Sequence, residues 1–393
     1  MSEDKEDRPP RRRSTRLLHS GRDSSLTGAF VNPPVVHAST VLFPTVEDMQ
    51  QNRQRYSYGR FGTPTSDALE LAMNELEGAD GTVLCPSGLA AATVAFLAVV
   101  SAGDHVLVTD SVYGPVRRLI DGLLRRLGVE ATYYDPTIGG DIAGLFKPNT
   151  KIVYAESPGS LTFEMQDLPA LAAAAHARNA LVLFDNTWAT PLHFRALDHG
   201  ADLSIISGTK YLGGHADVML GTVAARGQLW TRLRQTYRDM GLHVGPDDMY
   251  LALRGIRTLP IRLEHHARSA MAVATWLQGR PEVTRVLYPA LPGDPGHALW
   301  KRDMTGASGL FAIVMRGWSE AQAMRFIDSL ELFGIGASWG GYESLATLPH
   351  LDGIRSVTPR HLEGPLIRLH IGLEDPADLI ADLERGFAAA AQV

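Results

Sequence analysis

From about residue 80 to 225, short β-branched runs alternate with helical segments: Val106-Leu-Val108, then Val116 to Leu127, then Ile152-Val-Tyr154, then Leu168 to Ala177. Strands joined by helices of this length must lie parallel, so the alternation predicts an α/β fold with a mainly parallel sheet and helices on both faces. The 393 residues exceed the size at which one hydrophobic core keeps growing. We expect an N-terminal arm over 1–60, a large domain over 61–258 and a smaller α+β C-terminal domain over 259–393. The junction is expected near Arg257-Thr-Leu-Pro260, where a long helical stretch begins with Pro260 in its first turn.

Two of the predicted strands end on charged residues that belong together. Leu181-Val-Leu-Phe184 runs into Asp185, and Leu203-Ser-Ile-Ile206 runs into Ser207-Gly-Thr-Lys210. The carboxyl ends of parallel strands are where open α/β sheets place ligands. Burial between an apolar strand and small residues lowers the pKa of a lysine and makes its amine nucleophilic. A carboxylate at the neighbouring strand end keeps a pyridine nitrogen protonated, and the pair is the expected protein signature of pyridoxal 5'-phosphate (PLP). Taken singly, Lys210 reads equally as a solvated loop lysine and Asp185 as a helix cap; the joint pattern favours the cofactor.

Other pieces fit the same ligand. Ser207 and Thr209 supply hydroxyls for a phosphate ester. Cys85-Pro-Ser-Gly-Leu89 joins a strand to a helix, so the N–H groups of Gly88 and Leu89 open a helix and favour an anion. Tyr113 follows the next strand and is placed to stack on a ring. Arg368 interrupts the apolar strand Leu366 to Ile371, where a guanidinium needs a partner such as an α-carboxylate. Tyr56-Ser-Tyr-Gly-Arg60 puts Tyr58 and Arg60 in the arm, and Ser338-Trp339 opens a glycine-rich loop in the second domain.

Composition narrows the partners. A net charge of −6 gives no general attraction for nucleic acid or an anionic membrane, so a small-molecule substrate is expected. The single cysteine, Cys85, excludes an intrachain disulfide and a thiolate metal cluster, and it suits a cytoplasmic location. His265 and His266 are adjacent and point in different directions on a helix, so no metal site is expected there. The basic run Arg8 to Arg13, beside Glu3, Asp4, Glu6 and Asp7, reads as a solvated tail. At the other end, Asp375 and Pro376 predict a capped final helix with Leu379, Ile380, Leu383 and Phe387 on one face.

In this order, Tyr58-Gly-Arg60, Ser87-Gly88, Tyr113, Asp185-Asn-Thr-Trp188, Ser207-Gly-Thr-Lys210 and Ser338-Trp-Gly-Gly-Tyr-Glu-Ser344 resemble the PLP-dependent enzymes of cysteine and methionine metabolism. The likeness covers nearly all of residues 26 to 390. It implies fold type I, the aminotransferase-like fold with a seven-stranded-type sheet. It implies Lys210 as the Schiff-base lysine, Asp185 on the pyridinium nitrogen and Tyr113 stacked on the ring and assisting proton transfer. Gly88, Leu89, Ser207 and Thr209 would hold the phosphate, reached also by Tyr58 and Arg60 from a second subunit of a homotetramer built as a dimer of dimers. Arg368, Ser338, Trp339 and Tyr58 would meet the substrate.

Within the resemblance, Trp339 stands where γ-class members commonly carry leucine, and Ser157-Pro-Gly-Ser160 replaces their Thr-Pro-Thr-Asn pattern. The implied activity is therefore β-elimination of a thioether amino acid, L-cystathionine, to homocysteine, pyruvate and ammonia in methionine biosynthesis. The alternatives are a γ-lyase or γ-synthase, a broader cysteine-S-conjugate β-lyase or desulfhydrase, and a PLP-binding regulatory protein.

Overall fold

A computed structural model describes residues 11–357 and 362–392. Its large sheet contains β1 (Gly81–Cys85), β2 (His105–Thr109), β3 (Glu130–Tyr134), β4 (Thr150–Glu156), β5 (Leu181–Asp185), β6 (Leu203–Ser207) and β7 (Gly221–Ala225), in the order β1-β7-β6-β5-β4-β2-β3. Strands β2 to β6 are parallel, and β7 is antiparallel to both of its neighbours, so β1 returns to the shared direction. This mixed but mainly parallel sheet is the expected fold class.

Burial on both faces explains the continuous apolar strands. Val106, Val108, Ile152, Tyr154 and Leu183 join the core containing the Gly88–Leu97 helix, while the alternate residues Leu107, Val153, Val182 and Phe184 join the core containing the Leu168–His176 helix. The strand period of two thus sorts neighbouring residues between two helical layers. Because six strands share one direction, Cys85, Thr109, Glu156, Asp185 and Ser207 all end on the same edge of the sheet.

A second, antiparallel sheet contains β8 (Val283–Leu287), β9 (Leu310–Met315), β10 (Leu345–Thr347) and β11 (Leu366–His370), in the order β10-β11-β9-β8. The final helix, Pro376–Ala390, packs its buried Leu379, Leu383 and Phe387 into the same core as this sheet. Asp375 caps it, accepting from the Ala377 N–H at 2.8 Å. The two sheets are tied beside the strand ends, where Trp188 donates its indole N–H to the Leu310 carbonyl at 2.9 Å and the Gly309 N–H donates to the Tyr211 hydroxyl at 2.9 Å.

Two local expectations differ from what forms. The long helix runs from Pro246 to Gln278 and carries Pro260 in its interior, not in its first turn. An interior proline costs roughly 3 kcal/mol. Here the fully buried Ile256, Leu259 and Leu263 hold the helix in register, and Thr258 and Arg262 donate their side chains to the Gly255 carbonyl. The arm is also more than an extended strap. It contains the short helices Arg13–His19, Ser24–Thr27 and Val46–Gln50, and Leu17 is fully buried. Arg257 donates to the carbonyls of Leu17, Leu18 and Ser20, closing the exposed end of the first helix. Most of the expected charged tail lies outside the described residues.

Candidate active site

The edge where the parallel strands end carries a buried carboxylate beside a lysine. Asp185 and Glu156 are in register on β5 and β4. Asp185 accepts from the Thr187 N–H at 3.0 Å and from the Thr187 hydroxyl at 2.5 Å. The same hydroxyl accepts from the Ser207 N–H at 2.9 Å, so a chain of hydrogen bonds runs from the end of β6 to Asp185. Burial pushes the Asp185 carboxyl above its ordinary value, while Thr187 and Lys210 pull it down. A protonated ring nitrogen beside it would add a second positive charge and favour its ionised form further.

Lys210 lies just beyond β6. Burial, followed by the positive charge of Arg368, pushes its amine down to about 8, with Asp185 opposing. Its Nζ donates to Ser338 Oγ at 2.5 Å and lies 5.5 Å from the Trp339 ring. Arg368, on β11, donates to the Ser338 carbonyl at 3.2 Å. Ser338 adopts φ +78°, a left-handed conformation that costs on the order of 1–3 kcal/mol for a residue with a side chain. Both of its polar groups are thereby turned to charged site residues.

A phosphate cradle lies at the next strand ends. Ser87 caps the Gly88–Leu97 helix by accepting from the Ala90 N–H at 3.1 Å, leaving the first N–H groups of the helix to an anion. A Cβ on Gly88 would come within 2.7 Å of Ser207 Oγ, so glycine is what lets the hydroxyl stand against the helix start. Thr209 is differently engaged: its hydroxyl donates to the Leu220 carbonyl at 3.2 Å and accepts from the Leu220 N–H at 3.1 Å. It can donate to a phosphate only by releasing that carbonyl. Tyr113 is 46% exposed at the mouth, its backbone N–H held by Glu156 at 2.7 Å. Burial and then Glu156 push its phenol upward.

The structure therefore gathers Lys210, Asp185, Ser207, Gly88, Tyr113, Ser338, Trp339 and Arg368 around one edge. Tyr58 and Arg60 stand apart. Arg60 donates to the Arg238 carbonyl at 2.8 Å and lies over Phe61, and Tyr58 is half-exposed with its ring edge on Phe61. Sequence reasoning missed Thr187 and Glu156. Thr187 was visible as a hydroxyl two residues after Asp185, the spacing at which an Asx-type turn closes on its own backbone. Glu156 was visible as the acid ending a neighbouring apolar run.

The donor set fits PLP: an amine of lowered pKa, a desolvated carboxylate at the neighbouring strand end, and a glycine-lined helix start facing a hydroxyl. Among the described residues no cluster of His, Cys, Asp and Glu could hold a metal ion. None of their helices is long and apolar enough to cross a membrane.

The family model of the Cys/Met metabolism PLP-dependent enzymes matches residues 14–388, and the chain belongs to this family. A Rhizobium johnstonii protein, provisionally named a cystathionine β-lyase, is 55% identical over 97% of each chain. The cystathionine β-lyase MetC of Escherichia coli is 45% identical, with 95% of this chain and 98% of MetC aligned. Among solved structures, cystathionine γ-synthase from Xanthomonas oryzae pv. oryzae, in complex with aminoacrylate and cysteine, superposes with a TM-score of 0.91 at 34% identity over 98% of this chain and 100% of its own.

Proposed function

We propose that this chain is a PLP-dependent carbon–sulfur β-lyase that cleaves L-cystathionine, with water, to homocysteine, pyruvate and ammonia. The observation that carries the reading is the convergence on Ser338, where Lys210 Nζ meets the hydroxyl at 2.5 Å and Arg368 meets the carbonyl at 3.2 Å. The names of the Rhizobium and E. coli relatives support the β-lyase assignment.

When bound, PLP supplies a protonated ring that spreads the negative charge left at the substrate Cα. Arg368 grips the substrate α-carboxylate and so fixes which Cα bond faces Lys210. The amine, pushed down to about 8, is neutral often enough near neutral pH to take the Cα proton. It then returns that proton to the departing sulfur, with the Tyr113 phenol at the mouth as its assistant. Ser338 steers the amine between the two positions, and Trp339 walls the site beside it. Asp185 would hold the ring nitrogen protonated, and Gly88, Leu89 and Ser207 would hold the phosphate, joined by Thr209 once its hydroxyl releases the Leu220 carbonyl.

Tyr58 and Arg60 act in this reading from a second copy of the chain. They lie apart from Lys210 in their own subunit, which supports a site shared in a homotetramer. The division into an arm over 1–60, a large domain over 61–258 and a C-terminal domain over 259–393 belongs to the same proposal, as does a cytoplasmic location. The likeness to a γ-synthase fold keeps γ-elimination as the second reading. The products decide between them. Protein supplied with PLP and L-cystathionine should release pyruvate with homocysteine; 2-oxobutyrate with cysteine would overturn the β-lyase assignment.

A further inference from the structure

Behind the Ser338 loop lies a histidine that the reaction above does not use. His370 ends β11, two residues after Arg368, so both side chains project from the same face of the strand. Arg368 reaches the Ser338 carbonyl. His370 Nε2 reaches the next peptides of the same loop, at 3.1 Å from the Gly340 nitrogen and 3.2 Å from the Gly341 oxygen. The loop there presses on the lysine itself: a Cβ on Gly340 would lie 3.0 Å from the Lys210 carbonyl carbon and the Tyr211 nitrogen, and Gly340 has φ +89°.

We propose that His370 is a positioning residue for the reaction, whose imidazole fixes the Gly340 and Gly341 peptides and through them sets Ser338 against the Lys210 amine.

The surroundings support this over a purely space-filling role. The ring is 1% exposed and packs among His266, with centroids 5.3 Å apart, and Tyr211, 5.9 Å apart. Among the described residues its Nδ1 has no hydrogen-bond partner. A buried polar atom left unpartnered costs stability, so an apolar residue would fill this space more cheaply. Burial, and then His266, push the imidazole down to about 3, so the ring is neutral at working pH. A neutral ring has one Nε2 role at a time: it accepts from the Gly340 N–H or donates to the Gly341 carbonyl. Either bond pins the loop directly after Trp339.

The inference rests on the proposed roles of Lys210 and Ser338, and its test separates the two. His370→Met keeps length without a polar atom, and His370→Gln restores a donor and an acceptor. In His370→Met, kcat should fall roughly 10- to 100-fold, the range expected from a misplaced reacting group, while KM stays within about threefold because Arg368 is intact. In the cofactor-free protein, the Gly340 and Gly341 amides should exchange with solvent faster than in wild type. His370→Gln should recover most of both properties. The inference is overturned if His370→Met keeps kcat within about twofold of wild type, or if exchange at Gly340 and Gly341 is unchanged. If His370→Met does not fold, His370→Phe is measured in its place. A folded His370→Gln with normal exchange but a tenfold loss of kcat also contradicts it. Failure here leaves Lys210→Ala inactive, whereas failure of the underlying reading would leave Lys210→Ala active.

Discussion

Lys210 Nζ and Ser338 Oγ, 128 residues apart in the chain, lie 2.5 Å from each other across the two sheets. Ser338 occupies a left-handed backbone conformation, φ +78°, that favours glycine. Residue type and backbone geometry pull in opposite directions there, as expected where a site holds a group in place at the expense of stability.

Ser338→Gly separates the two effects. It relieves the backbone and removes the hydroxyl, so the variant should melt no lower than wild type while kcat falls by roughly tenfold or more. Thermal unfolding and steady-state kinetics on one preparation measure both. A variant that is less stable and fully active would contradict the assigned role.

Asp185→Asn keeps the shape of the site and removes the charge. The Thr187 donors remain satisfied by the amide oxygen, so the fold should persist while turnover drops by roughly 100-fold or more. Circular dichroism checks the fold, and pyruvate release checks the rate. Unchanged turnover would remove the electronic role of Asp185.

Glu77 predicts a pH dependence of stability. It is fully buried against Ser204, which donates to its Oε1 at 3.0 Å, and its Oε2 has no partner among the described residues. Burial raises its carboxyl from 4.5 to about 8. A raised folded pKa means that the protonated carboxyl contributes fully below 4.5 and that this contribution is lost as the pH rises toward 8. Glu77→Gln, which stays neutral, should therefore gain stability relative to wild type across that window. Urea midpoints of the two proteins at several pH values test it; a constant difference contradicts the assignment.

The separation of Arg60 from Lys210 within one subunit makes a prediction about assembly. Mixing Arg60→Ala with Lys210→Ala subunits should restore part of the activity, because some hybrid sites pair an intact Lys210 with an intact Arg60. Hybrids shown to have formed, yet without activity, would count against a shared site.

The sequence made the strand ends legible because parallel strands buried on both faces read as unbroken apolar runs, and Asp185 and Lys210 interrupt that pattern at the edge where ligands bind. Thr187 and Glu156 were harder to see, since their roles depend on hydrogen bonds to Ser207 at the end of β6 and to Tyr113 at the start of the Gly114–Leu119 helix. Pro260 misled for a related reason. Local propensity starts a helix at a proline, whereas burial of Ile256 and Leu259 carries this helix through it. The docking of Leu17 was hidden because a short apolar pair among charges carries no clear period.

The most direct test of the account is Lys210→Ala, measured for the visible absorbance of the lysine-bound cofactor and for pyruvate release from L-cystathionine. The account predicts a folded protein that has lost both. A folded variant that keeps the absorbance and the turnover would contradict the central place of Lys210.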